Sequence, residues 1–94
     1  MVIGSCTIEL DISTAQSLKD KRRVVKSVMA RLRNEFNIAA AEVGQLDSHQ
    51  TAMIAVVTVS SDKDYAHGLL TRVVLWIERN RFDCDLVDYD IELI

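Results

Sequence analysis

From Val2 to Ile12 the chain alternates strictly between two faces. Val2, Gly4, Cys6, Ile8, Leu10 and Ile12 point one way, and Ser5, Thr7, Glu9 and Asp11 the other. A period of two with one polar face is the mark of a half-buried strand. Ser13 to Ser17 breaks the pattern and offers Ser17 as a helix N-cap. From Leu18 the period becomes 3.6: Leu18, Val25, Val28, Met29, Leu32 and Phe36 share an arc about 100° wide, the width of a core-facing stripe. Asn37 can end this helix.

The same order then repeats. Ile38 to Leu46 reads as a short strand, and Asp47-Ser48-His49-Gln50 as the turn of a hairpin. Thr51 to Val59 is the most apolar strand. Met53, Ala55, Val57 and Val59 are expected to look inward, with Ile54 and Val56 on the opposite face. Ser61 is the expected N-cap of a second helix, with Asp64 three residues on. Its core stripe is Ala66, Leu70, Val73 and Ile77, and Leu75 is left facing solvent or a partner. A last strand runs from Phe82 to about Leu93.

The order β-α-β-β-α-β, with right-handed crossovers, predicts a ferredoxin-like α+β plait. It has a four-stranded antiparallel sheet with two helices on one face. No proline, linker or low-complexity stretch divides residues 1–94, so one domain is expected. No apolar run approaches the roughly 20 residues that span a bilayer. The opening Met1-Val2-Ile3-Gly4 lacks the features of a signal peptide. A soluble, cytoplasmic protein without a membrane partner is the expectation.

Catalytic and metal chemistry find little footing. Gly4, Gly44 and Gly68 are scattered, so no phosphate-cradling loop is predicted. Cys6, Cys84, His49 and His67 lie in different elements, which predicts no metal site. Cys6 and Cys84 are expected on neighbouring strands about four residues out of register, too far apart for a disulfide. Asp47-Ser48-His49 has the residue types of a hydrolase triad, but adjacency in sequence is not triad geometry. The expectation is a protein that is not an enzyme, with no cofactor and no small-molecule substrate. Base stacking on the sheet is also not expected, because the first and third strands contain no Phe, Tyr or Trp.

Charge is the remaining signal. The net charge is −3, yet it is segregated. Between Leu18 and Phe36 there are seven basic residues against two acids, a local balance of +5, so the rest of the chain carries −8. At 100° per residue Lys19, Arg22, Lys26 and Arg33 lie within about 60° of each other beside the core stripe, with Arg23 a little further round. Three readings stay open: a solvated helix face, a contact for a phosphate backbone, and a contact for an acidic surface. The acids Asp83, Asp85, Asp88, Asp90 and Glu92 alternate with apolar residues, as the polar positions of an edge strand do.

The stretch Ser17-Leu18-Lys19-Asp20-Lys21-Arg22-Arg23, then Arg31-Leu32-Arg33 and Phe36-Asn37-Ile38 leading to Ala41-Glu42-Val43, resembles the YlxP-like family of small bacterial proteins. The likeness extends over essentially the whole chain, including Asp47, Gln50 and the Ser-Asp start of the second helix. It implies a ferredoxin-like plait with no enzymatic activity assigned to the class. The family's genes often lie near those for translation initiation and ribosome maturation, which favours structured RNA or a ribosomal particle as the partner of the basic helix. Relatives tend to place a basic residue after the hairpin glutamine, where this chain has Thr51.

Two functions follow as expectations. One is a non-catalytic binding module that contacts RNA phosphates through Lys19, Arg22, Arg23, Lys26 and Arg33. The alternative is a structural or regulatory protein that forms a homodimer through an apolar patch of Ile3, Ile54 and Val56 on the open sheet face, and binds a protein partner.

Overall fold

A computed structural model describes residues 1–80 and 83–94. The elements run β1 (Val2–Asp11), α1 (Leu18–Glu35), β2 (Ala39–Gly44), β3 (Thr51–Ser60), α2 (Lys63–Arg79) and β4 (Asp85–Leu93). The four strands form one antiparallel sheet in the order β2-β3-β1-β4. Helix α1 lies over β2 and β3, and α2 over β1, β3 and β4, both on one face. The plait inferred from the alternation of periods is the fold. Phe82, the expected first residue of the last strand, lies outside the described residues.

The alternation in β1 sets the sides of the sheet. Cys6, Ile8 and Leu10 are fully buried beneath the helices, against Val25, Val28 and Leu32 of α1 and Leu70, Val73 and Ile77 of α2. Gly4 belongs to the same row. A Cβ there would stand 3.0 Å from the Leu70 side chain and 3.3 Å from Leu93, so its missing side chain lets α2 approach β1.

Strand β3 reverses the expected parity. Cys6 pairs with Val56 and Ile8 with Ile54, and residues opposite one another in an antiparallel pair share a face. Ile54 and Val56 are therefore fully buried in the core, not on the open face where a dimer patch was expected. Met53, Ala55 and Val57 are only half-buried and Val59 is exposed, all on the open side with Ile3. The physical reason is that β3 is apolar on both faces, so its own alternation fixes no register. Pairing with the one-sided β1 does.

Local chemistry explains the helix ends. Ser17 Oγ accepts the Asp20 N–H at 3.1 Å, and the Asp20 carboxylate accepts the Gln16 N–H at 3.1 Å. In α2 the cap is Asp62 rather than Ser61: its Oδ1 accepts the Asp64 N–H at 3.0 Å. The shift by one residue follows from Ser60 Oγ, which accepts the Asp62 N–H at 3.0 Å and fixes Asp62 in extended backbone.

Candidate nucleic-acid interface

The rotation of α1 about its axis is pinned by a buried lysine. Lys21 has no exposed surface, and its Nζ donates to Glu42 Oε2 at 2.8 Å and to the Gln45 carbonyl at 2.8 Å. Glu42 is the sole carboxylate of β2, and Gln45 begins the β2–β3 turn with φ 60°, in the left-handed region. The Gln45 carbonyl also accepts the Ser48 N–H at 3.1 Å. One ammonium thus ties α1 to β2 and to the hairpin turn. An ammonium without solvent survives only where its hydrogen bonds are met, and removing one partner is costly. The turn itself is closed by Ser48 Oγ, which receives the Thr51 N–H at 3.2 Å and the Thr51 hydroxyl at 2.8 Å. Thr51, where relatives of the resembled family tend to be basic, is here the first residue of β3 and closes the turn through Ser48.

With that rotation fixed, the two flanks of α1 diverge. One flank faces α2: the Arg31 guanidinium lies 5.4 Å from the Trp76 ring centre and 3.5 Å from Asn80 Oδ1, and Phe36 meets Trp76 edge-on at 6.2 Å. The other flank looks out over the β2 edge. Lys19, Arg22, Lys26 and Arg33 lie there, Arg23 stands further round toward Asp20 and Asp83, and all five are exposed. Lys19, Arg22, Arg23 and Lys26 line a shallow groove of about 530 Å³. Arg33 reaches the edge strand itself, with Nη1 donating to the Ala40 carbonyl at 3.3 Å.

Among the described residues no carboxylate forms an ion pair with any of these five; the ion pair found is Lys21–Glu42. Arg23 shares a small hollow with Asp20 and Asp83 without pairing to either. The cations predicted from the helical wheel are therefore together, on the surface, and not neutralised by this chain's described acids.

Sequence reasoning did not foresee the role of Lys21. A signal was available: on the wheel it falls inside the core stripe, four residues before Val25, where a solvated lysine does not belong. Glu42, a single acid in an otherwise small and apolar strand, is its counterpart. Two of the motif residues behind the family resemblance, Lys21 and Glu42, are thus one structural contact.

The acids gather on the far side of the sheet. On the open face Glu9 stands opposite Asp88, Thr7 opposite Asp90, Ser5 opposite Glu92 and Asp11 opposite Asp85. An irregularity between Glu9 and Leu10 leaves Val87 unpaired and 58% exposed. This face has carboxylates where an RNA-reading sheet has aromatic residues. Of the two cysteines, Cys6 is buried beneath the helices, on the sheet face opposite these acids, and Cys84 is half-buried just before β4. Cys6 pairs with Ile91, so Cys84, which precedes β4, is further out of register than expected, and both thiols are free. Burial pushes each thiol up from 9.0 to about 11, helped by Asp90 near Cys6 and by Asp85 and Asp83 near Cys84. His49 and His67 are exposed, in the hairpin turn and on α2. The described residues contain no group of three or more His, Cys, Asp or Glu placed to hold a metal ion, and no described helix is long and apolar enough to cross a membrane.

Fold and surface together define a small α/β plait with a cationic helix flank and an anionic sheet face. Comparison with known proteins places it. The chain matches the family described as protein of unknown function DUF503 over residues 3–91. It is 35% identical over 77 residues to the uncharacterized protein YlxP of Bacillus subtilis (strain 168), covering 82% of this chain and 84% of that one. The chain belongs to this YlxP-like family. Among solved structures it is similar to LarC2, the C-terminal domain of a cyclometallase involved in the synthesis of the NPN cofactor of lactate racemase, in its apo form. That likeness has a TM-score of 0.53 and 14% identity; it covers all of this chain and 55% of the other, so this chain spans about half its length. At that identity the likeness shows the fold alone.

Proposed function

We propose that this protein is a non-catalytic binding module that contacts the phosphate backbone of structured RNA, as displayed on a ribosomal particle, through the outer flank of α1. The observation behind the proposal is the cluster itself: Lys19, Arg22, Arg23, Lys26 and Arg33 are exposed along α1 and unpaired with any described carboxylate. Like charges held together on a helix repel one another, and a polyanion removes that cost. The open sheet face, being acidic, repels the same ligand, so RNA is met from one side only.

Contacts of this kind position a protein on a backbone without reading sequence. They release counterions, so affinity falls with a slope of about 0.9 in log K per phosphate for a duplex. Four to five contacts then weaken binding by about two orders of magnitude over a fourfold rise in salt. Fluorescence anisotropy of a labelled RNA hairpin, titrated with the protein at low and physiological salt, measures that slope. A saturable isotherm with the steep slope supports the reading. Absence of binding at low salt, or a salt-independent affinity, contradicts it.

A further inference from the structure

We propose that the β2–β3 half of the open sheet face binds a second copy of this chain, forming a two-fold dimer whose axis runs along the strands near β3. The first observation is an apolar strip left without a cover. Ile3, Met53, Ala55, Val57, Val59 and Ala41 share the open side of the sheet, with Val59 58% exposed at one end and Val43, near Met53 at the other end, 54% exposed. With strands about 4.8 Å apart and a rise of about 3.3 Å per residue, the strip is roughly 30 Å by 15 Å. Two copies would remove roughly 900 Å² of it from water, close to the lower bound of about 1,000 Å² for a specific interface. That is the size of a weak, reversible dimer.

The second observation says what covers it. The strip has margins of opposite charge. On the β1–β4 side it is bordered by Glu9, Asp88, Asp90 and Glu92, and on the β2 side by the basic flank of α1, where Arg33 reaches the Ala40 carbonyl at the sheet edge. A two-fold axis parallel to the strands lays each copy's apolar strip on the other's. It also carries the acidic margin of one across the β2 edge of the other. Ala40 pairs with Val56, between the cross-strand rows that contain Glu92 and Asp90. Because this axis preserves height along the strands, Arg33 of one copy comes beneath Asp90 and Glu92 of the other, twice per dimer. The alternative axis, perpendicular to the strands in the plane of the interface, would stack acidic half on acidic half. Nucleic acid and anionic lipid are turned away from the strip by the same carboxylates. A second copy is the occupant whose apolar area and both charged margins match.

The dimer engages Arg33 but leaves Lys19, Arg22, Arg23 and Lys26 outside the contact, so the phosphate reading keeps four of its five cations in the dimer and the failure of either reading leaves the other standing. Sedimentation equilibrium of the full chain, from a few to several hundred micromolar at low and at physiological salt, tests it. The expected result is a monomer–dimer equilibrium that weakens as salt rises. The pair Ala41→Lys with Val59→Lys, both at exposed positions and checked for an unchanged circular dichroism spectrum, should be monomeric throughout. Arg33→Glu and Asp90→Arg should each lose at least tenfold in self-association, and an equimolar mixture of the two should recover a dimer, since both contacts are then of opposite sign. A wild-type chain that stays monomeric at several hundred micromolar overturns the proposal and leaves the strip to a partner of other chemistry. A dimer indifferent to the lysine pair, or a charge-reversed mixture that does not recover, overturns it equally.

Discussion

The outer flank of α1 and the open face of β1 and β4 are both clusters of like charge, and they are built differently. On α1 the charges sit at the ends of long side chains that can splay into solvent, which dilutes their repulsion. On the sheet, short carboxylates are held in register, with Glu9 directly opposite Asp88 and Asp11 opposite Asp85. Cβ atoms in such pairs are about 4.5–5.5 Å apart, and like charges there are destabilising. The basic flank can therefore wait for a partner at little cost to stability, while the acidic face costs the fold something at all times. The buried pair Lys21–Glu42 is a third case. Its charges are opposite, hydrogen-bonded and withdrawn from water, and it decides where the other two regions point.

The largest effect is expected at that pair. Glu42→Ala leaves the Lys21 ammonium buried with the Gln45 carbonyl as its remaining partner, and breaking a buried pair in this way costs about 3–5 kcal/mol. Glu42 retains 16% exposure, so the lower end applies. Urea denaturation measures it. Lys21→Met combined with Glu42→Leu should recover most of the loss, because an apolar replacement of both partners is often neutral. If Glu42→Ala unfolds at the wild-type midpoint, the pair does not hold α1 in place.

A smaller effect separates the two charged regions. Neutralising the cross-strand pair with Glu9→Gln and Asp88→Asn should raise stability by about 0.5–1 kcal/mol. Arg22→Gln with Lys26→Gln should change it by less than about 0.5 kcal/mol. Equal effects at both places would erase the distinction between flexible and registered charge.

A last effect appears only at alkaline pH and concerns the two thiols. Both are raised in the folded protein, so the fold holds these protons longer than the unfolded chain does. Their contribution to stability is complete below pH 9.0 and is lost as pH rises from 9.0 to about 11. Near neutral pH neither supplies much thiolate. Iodoacetamide at pH 8 should label half-buried Cys84 slowly and Cys6 only on unfolding. Rapid labelling of both would show that the core beneath the helices is open at β1.

The sequence announced some of this and concealed the rest, for physical reasons. β1 was legible because its alternation is one-sided, and α1 because its stripe and its Ser17 cap agree. The basic flank followed from the wheel alone, since residues of one helix need no partner to define their relative positions. β3 was misread because Ile54 and Val56 alternate with residues just as apolar, and nothing local says which row is larger inside. The acidic face was invisible for a related reason: Glu9 and Asp88 are far apart in the chain, and only the β1–β4 register brings them together. Lys21 was counted with the basic residues although its wheel position lies within the core stripe. Position, more than residue type, showed what it does.

The most direct test of the account is the affinity of a labelled RNA hairpin for the wild type and for Lys19→Glu, Arg22→Glu and Lys26→Glu combined, at one low salt concentration. The account predicts a loss of at least two orders of magnitude, with urea stability unchanged because none of the three side chains makes an ion pair with a described carboxylate. An RNA affinity that survives the triple reversal in a folded protein would contradict it, and would move the contact away from α1.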